Sequence, residues 1–260
     1  MGNFPYARPL GERALRIIAE RKVTAMQTEI EALRAENERL TREANTDPLT
    51  GLLNLRGFYT ETAKTLEILP DEANVLIVAV DMSKFKEIND YPGWGHDIGD
   101  AALKIAADVL RSIVRSKPRP ENLDYSTDSA YTIDHVARLG GDEFAFELAF
   151  TGRATYDQAY AQEVTQKIIT TKLDIVTKAV INTIIDNPDP SEYPGIARLG
   201  NADRDMLKNR IRLNAGSVVV PAKELRGDGL QKHLAVADAE MYIHKEASRS
   251  VTEEQLEIVA

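Results

Sequence analysis

Arg138-Leu139-Gly140-Gly141-Asp142-Glu143-Phe144-Ala145-Phe146 is the stretch from which the fold can be worked outward. Its two glycines stand between an apolar run, Val136, Ala137 and Leu139, and an alternating one, Phe144, Phe146 and Leu148. That pattern predicts a two-residue β-hairpin turning at Gly140 and Gly141, because both turn positions favour φ > 0. Asp142 and Glu143 follow at once. Adjacent carboxylates on a tight turn repel each other, and a divalent cation is the natural partner for them. A hairpin with a solvated acidic tip would carry the same residues, so the stretch alone leaves both readings open.

The 260-residue chain is long enough for one large α/β domain plus an appendage. It contains no cysteine, which excludes disulfides and thiolate metal sites, so any metal must sit on oxygen or imidazole. No apolar run approaches the roughly 18 residues of a membrane span, and Met1 to Tyr6 lack the apolar core of a signal peptide. A cytoplasmic protein without membrane contact is expected. The net charge of -9 argues against nucleic-acid or anionic-membrane binding, both of which rely on basic surface. A small phosphate ligand, received by local cations or metals, stays compatible with it.

From Val23 the apolar positions fall into alternating spacings of three and four: Val23, Met26, Ile30, Leu33, then Asn37, Leu40 and Ala44. This is a coiled-coil seam. With Val23 at a, Asn37 also falls at a, where a lone asparagine favours a parallel dimer in fixed register. Glu29 at g then faces Arg34 at e of a partner chain. A single amphipathic helix packed on its own domain is the competing account, and about three heptads favour the dimer.

Pro48 ends the heptads. A turn through residues 47–54 leads into a helix to about Leu69, and Val75 to Val80 is an apolar run of strand length, the pattern of a strand buried on both faces. It ends in Asp81, at a strand end where α/β folds commonly place ligand chemistry, although an ordinary turn aspartate would read the same. A glycine-rich loop over residues 91–100 precedes a helix from about Ala101 to Val114. Beyond it lie a polar connection at 116–130, a helix from about Tyr156 to Lys178, an expansion at 182–210 with a short helix from Asp203 to Arg210, and a strand from Leu213 to Val220. A last helix, Leu230 to Ser248, is expected to turn Asp238, Met241 and Tyr242 inward and Lys245 toward the site.

Read in order, Asp47-Pro48-Leu49-Thr50-Gly51-Leu52 with Asn54, Arg56 and Phe58, then Asp81 with Phe85-Lys86 and Asn89-Asp90, then Gly95-His96 with Gly99-Asp100, then Arg138 to Phe144, and last Ala237-Asp238 with Met241-Tyr242 and Lys245, form successive blocks. The series resembles the GGDEF family, the diguanylate cyclases. The resemblance implies a nucleotidyl-cyclase or polymerase-palm-like α/β domain, a central mixed, largely antiparallel sheet surrounded by helices. It divides the chain into an N-terminal helix with a parallel dimeric coiled coil (1–46), a catalytic domain with insertions near 116–130 and 182–210 (47–252), and a C-terminal tail (253–260).

The family joins two GTP molecules into cyclic di-GMP, each 3′-hydroxyl attacking the other's α-phosphate and releasing pyrophosphate. Such a reaction asks for positioning and charge neutralisation, usually by Mg²⁺ or Mn²⁺, with two ions implied for each active site. By analogy Asp81 and Asp142 hold the metals with the Met82 carbonyl, while Glu143 adds a metal contact or helps to deprotonate the hydroxyl. Backbone N–H groups around Lys84 and Phe85 cradle phosphates, and Lys86 offsets their charge. Lys245 and Arg249, four apart and so on one helical face, grip the terminal phosphates. Asn89 and Asp100 recognise the base, since a carboxylate accepts from the N1–H and N2–H₂ edge of guanine. Gly140 and Gly141 leave space for the ligand to approach the backbone.

The chain departs from the family at several points. The loop between Asn89 and Asp100 is longer than the common pattern, with Pro92, Gly93 and Trp94 in the altered part. Displacement of Asp100 would weaken guanine selectivity, and Trp94 could cover the base or plug the loop. At the family's inhibitory product site, Arg-x-x-Asp, this chain has Tyr131-Thr132-Ile133-Asp134, which predicts weak or absent product inhibition because tyrosine lacks the paired charge-assisted contacts of arginine. GTP, a second copy of the chain and a regulatory protein are the implied partners. A cyclic GMP-AMP synthase and a non-catalytic receptor for GTP or cyclic di-GMP are the alternatives.

Overall fold

The structure is a computed structural model and describes the backbone of residues 11–114, 131–150 and 152–259. The connection at 116–130 lies outside the described residues, as do the side chains of Tyr131 to Asp134 and of Arg249. Two compact units are present, Met1–Ala44 and Asn45–Ala260.

The first unit is the body of helix α1 (Glu12–Asn45). Val23, Met26, Ile30, Leu33 and Leu40 along the expected seam are 45% to 62% exposed. Polar positions on the same helix are paired internally: Arg39 bridges Glu36 at 2.7 Å and Glu43 at 2.6 Å. Arg39 is thus paired within the helix, while the apolar stripe is exposed.

In the second unit, α2 (Leu55–Ile68) leads to β1 (Asn74–Met82), followed by the short α3 (Phe85–Asn89), α4 (His96–Ile113) and the hairpin β2 (Tyr131–Gly140) and β3 (Glu143–Phe150). A 3₁₀ turn (Gly152–Thr155) enters α5 (Gln158–Lys167), which a π segment (Ile168–Lys172) joins to α6 (Leu173–Asp186). Then come α7 (Pro194–Ala197), α8 (Asn201–Arg210), β4 (Leu213–Pro221), α9 (Ala222–Leu225) and α10 (Gly229–Val259).

The four strands run in the order β2-β3-β1-β4, and every neighbouring pair is antiparallel. A parallel contribution comes from the isolated bridge between Leu53 and Ala137. As the unbroken apolar run implies, β1 is buried on both faces. Leu76, Val78, Val80 and Met82 join one core with α4 and α6, whereas Val75, Ile77 and Ala79 join a second with Phe58 and Leu66 of α2 and Leu230 and Leu234 of α10. Each of these side chains other than that of Ala79 contributes roughly 1.5–3 kcal/mol by leaving water.

Several elements differ from expectation. Helix α4 begins at His96 instead of Ala101, because Gly95, with φ +71°, lets the chain turn straight into the helix, whose first turn carries Asp97. The helix expected to end at Lys178 continues to Asp186, α8 opens at Asn201, and α10 runs on to Val259. Ala237 and Met241 form the inward face of α10, whereas Asp238 is exposed and Tyr242 is 61% exposed. The reason is packing: α10 lies so close on β4 that a Cβ at Gly216 would fall 2.2 Å from the Ala237 carbonyl and the Met241 nitrogen.

Candidate active site

One end of the sheet gathers the carboxylates. In the antiparallel register Asp81 of β1 stands opposite Glu143 of β3, and the Met82 N–H donates to the Asp142 carbonyl at 3.1 Å. Directly opposed residues project from the same face, here the one that α10 covers, so Asp81 and Glu143 form a row of like charge. Burial and the Asp81 charge raise the Asp142 carboxyl above its ordinary range, with Lys245 and Arg138 opposing the shift. Glu143 is raised by burial, then by Asp238, Asp142 and Asp81. The cation that answers them is the Lys245 ammonium of α10, ion-paired with Asp81, the two side chains being 22% and 13% exposed.

The hairpin turns one residue later than expected. Gly140 still pairs with Glu143 as the last rung, and the tip is Gly141-Asp142. Only Gly141 of the two glycines has positive φ, +54°. A register shift between Arg138 and Gly140 accounts for the offset, because a bulge at Leu139 uses up one residue. A Cβ at either glycine would meet nothing within 4 Å, so the space above the tip is open.

Arg138 fixes that tip. Its Nε and Nη2 donate to the Gly141 carbonyl at 2.9 and 2.8 Å, and its Nη1 pairs with Asp47 at 3.2 Å. Burial alone would raise the Asp47 carboxyl, but bonds from the Thr50 hydroxyl and N–H and the Arg138 charge outweigh it and hold it below its ordinary range. The turn at 47–51 is therefore a bracket for the hairpin. Both residues sit within quoted motifs, yet their spacing of 91 residues gave no local sign that they meet.

The turn after β1 carries Lys84 with φ +58°, the lone positive-φ residue other than glycine among those described. A left-handed residue followed by right-handed ones is the backbone form of an anion-binding nest. Phe85 packs partly into the core, while Lys84 and Lys86 are exposed, Lys84 pairing with Glu87 at 3.3 Å. The expected base-reading pair sits at the junction of α3 and α4, on the other side of the sheet from α10. Asn89 lays its side chain on α4 so closely that a Cβ at Gly99 would come within 1.8 Å of its Oδ1, and Asp100 follows, exposed. Trp94 is buried in the loop between them, 2% exposed.

The donor set fits a divalent cation. Asp81, Asp142 and Glu143 offer hard oxygen atoms, burial and then neighbouring negative charge raise the Asp142 and Glu143 carboxyls, and a side-chain ammonium is paired with Asp81. Among the described residues no three acidic, histidine or cysteine side chains converge as a ready cage.

Residues 44–120 match the family described as "Diguanylate cyclase, GGDEF domain". The diguanylate cyclase DgcP of Pseudomonas aeruginosa is 32% identical over 131 residues, covering 50% of this chain and 17% of DgcP. Over this segment the chain is similar to the GGDEF family. The cyclic di-GMP phosphodiesterase NbdA of P. aeruginosa is also similar to it, 27% identical over 252 residues, 95% of this chain and 28% of NbdA. The coiled coil and GGDEF domain of DgcB from Caulobacter crescentus, solved in complex with c-di-GMP, superposes with a TM-score of 0.55 at 20% identity, covering 88% of this chain and 95% of that one, a likeness of fold. The chain spans 15% to 30% of the length of the first curated relatives that it matches. No helix among its described residues is long and apolar enough to cross a membrane.

Proposed function

We propose that the chain is a diguanylate cyclase: two GTP molecules are joined through two 3′-O–P bonds, each formed as pyrophosphate leaves the α-phosphorus. The observation that carries this is the opposition of Asp81 and Glu143 at the sheet end with Asp142 in the adjoining turn. Asp81, Asp142 and the Met82 carbonyl would hold Mg²⁺ or Mn²⁺, two ions for each site, supplying charge neutralisation at the phosphates. Glu143 accepts the 3′-hydroxyl proton or joins the metal ligands. The nest at Lys84 and Phe85 receives phosphate oxygens, Lys86 offsets their charge, and Asn89 with Asp100 reads guanine. Lys245 leaves Asp81 for the terminal phosphates, joined there by Arg249. Gly140 and Gly141 keep the tip open for the nucleotide.

Each domain holds one GTP, so product requires two domains face to face. The uncovered seam of α1 supports a parallel homodimer, which raises their effective concentration. Incubation with GTP, with ATP and with both, plus Mg²⁺, followed by chromatography of the products, tests the proposal. Cyclic di-GMP from GTP alone is expected. A mixed dinucleotide would mark a cyclic GMP-AMP synthase, and no turnover by dimeric protein would mark a receptor.

A further inference from the structure

The two departures at 91–100 and 182–210 touch each other. Trp94 is buried against the later segment, its Nε1 reaching Asp203 of α8 in a long bond of 3.4 Å. Arg210, at the end of α8, lies 5.1 Å from the Tyr91 ring centroid and 6.0 Å from that of Trp94, and pairs with Glu87 of α3 at 3.3 Å. Arg198 donates to the Trp94 carbonyl at 3.3 Å and pairs with Asp97 in the first turn of α4. The same segment is registered along α4, with Tyr193 bonded to Asp108 and Lys104 donating to the Glu192 carbonyl at 3.2 Å.

These contacts fall on the elements that carry Asn89 and Asp100. Asn89 ends α3, where Glu87 is held by Arg210, and Asp100 lies in the start of α4, where Asp97 is held by Arg198. Beyond the seat of Asn89 on Gly99, these contacts tie the two helices together, and a hydrogen-bonding site of this kind discriminates only while its groups keep their spacing.

We infer that residues 193–210 are a specificity brace: through Arg198, Asp203 and Arg210 they clamp the Trp94 loop and hold Asn89 and Asp100 in register to read a guanine base. The inference rests on the diguanylate cyclase reading above. Arg198 and Arg210 are positioning residues, acting through α3 and α4.

The test is steady-state kinetics of the full chain with GTP, and with ATP as competitor, for Arg198→Ala combined with Arg210→Ala, with thermal melting recorded alongside. The brace predicts a rise of about tenfold in KM for GTP with kcat held within about twofold, and a loss of preference for GTP over ATP of similar size. Arg210→Ala alone, the milder change, is expected to raise KM about threefold, and Arg210→Lys, which keeps the charge near Glu87 and the rings, to restore most of it. A folded double variant with unchanged KM and unchanged GTP preference, or one that loses kcat alone, would overturn the inference. Absence of GTP turnover in the unsubstituted protein would overturn both this inference and the function on which it rests.

Discussion

The two ends of the proposed nucleotide site are built on opposite electrostatic principles. At the sheet end Asp81, Asp142 and Glu143 face one another, and burial and mutual repulsion hold two of them above their ordinary range. At the α3–α4 corner the arginines are matched to carboxylates, Arg210 to Glu87 and Arg198 to Asp97, around a buried tryptophan. The first region keeps an unmet demand for positive charge, which a ligand can supply. The second meets its demands internally and serves rigidity. Stability and chemistry are therefore expected to separate on mutation.

The largest expected effect is at the sheet end. Asp81→Asn should lower turnover by at least about a hundredfold in Mg²⁺, because it removes the charge of a proposed metal ligand. Its melting temperature should stay within a few degrees of the parent. Retained turnover would break the contrast at once. At the corner, Trp94→Ala should cost about 3–5 kcal/mol and lower the melting temperature by roughly 10 °C, as removal of a core aromatic does. A shift below about 2 °C would show that Trp94 does not anchor the loop.

Two smaller effects sharpen the comparison. Gly141→Ala should destabilise by about 1 kcal/mol because it forces an L side chain to φ +54°. Gly140→Ala, in extended backbone with open space at Cβ, should melt within about 0.5 kcal/mol of the parent. Both should weaken GTP turnover, and equal stability losses would contradict the observed turn. The smallest effect is a gain. The native Asp142 carboxyl binds its proton more tightly than the unfolded one, so metal-free stability falls as pH rises from the ordinary value of 3.8 through the raised one. Asp142→Asn should therefore melt slightly higher than the parent at neutral pH, an advantage that disappears below the ordinary carboxylate range.

What the sequence made legible follows from how locally each feature is determined. The strand at Val75–Val80 was plain because burial on both faces leaves an unbroken apolar run, and Asp81 at its end was plain for the same reason. The hairpin was legible as a hairpin, but its tip was displaced because a bulge at Leu139 has no local signature. The inward face of α10 was misjudged at Asp238 and Tyr242, since the close approach to Gly216 depends on a strand that precedes the helix and not on the helix's own pattern. Neither the Asp47–Arg138 bracket nor the brace on Trp94 could be read ahead. Their partners lie 91 and 109 residues apart, and each residue alone looks like an ordinary surface charge or core aromatic.

The central claim is that the carboxylate end of the sheet joins GTP to GTP. The most direct measurement is the yield of cyclic di-GMP and pyrophosphate from GTP and Mg²⁺, resolved by chromatography, for the unsubstituted protein and for Asp142→Ala at matched dimer concentration. The account predicts cyclic di-GMP and pyrophosphate in a ratio of about one to two from the unsubstituted protein and a loss of at least about a hundredfold in the variant. Equal yields from the two proteins, or none from correctly dimeric unsubstituted protein, would contradict it.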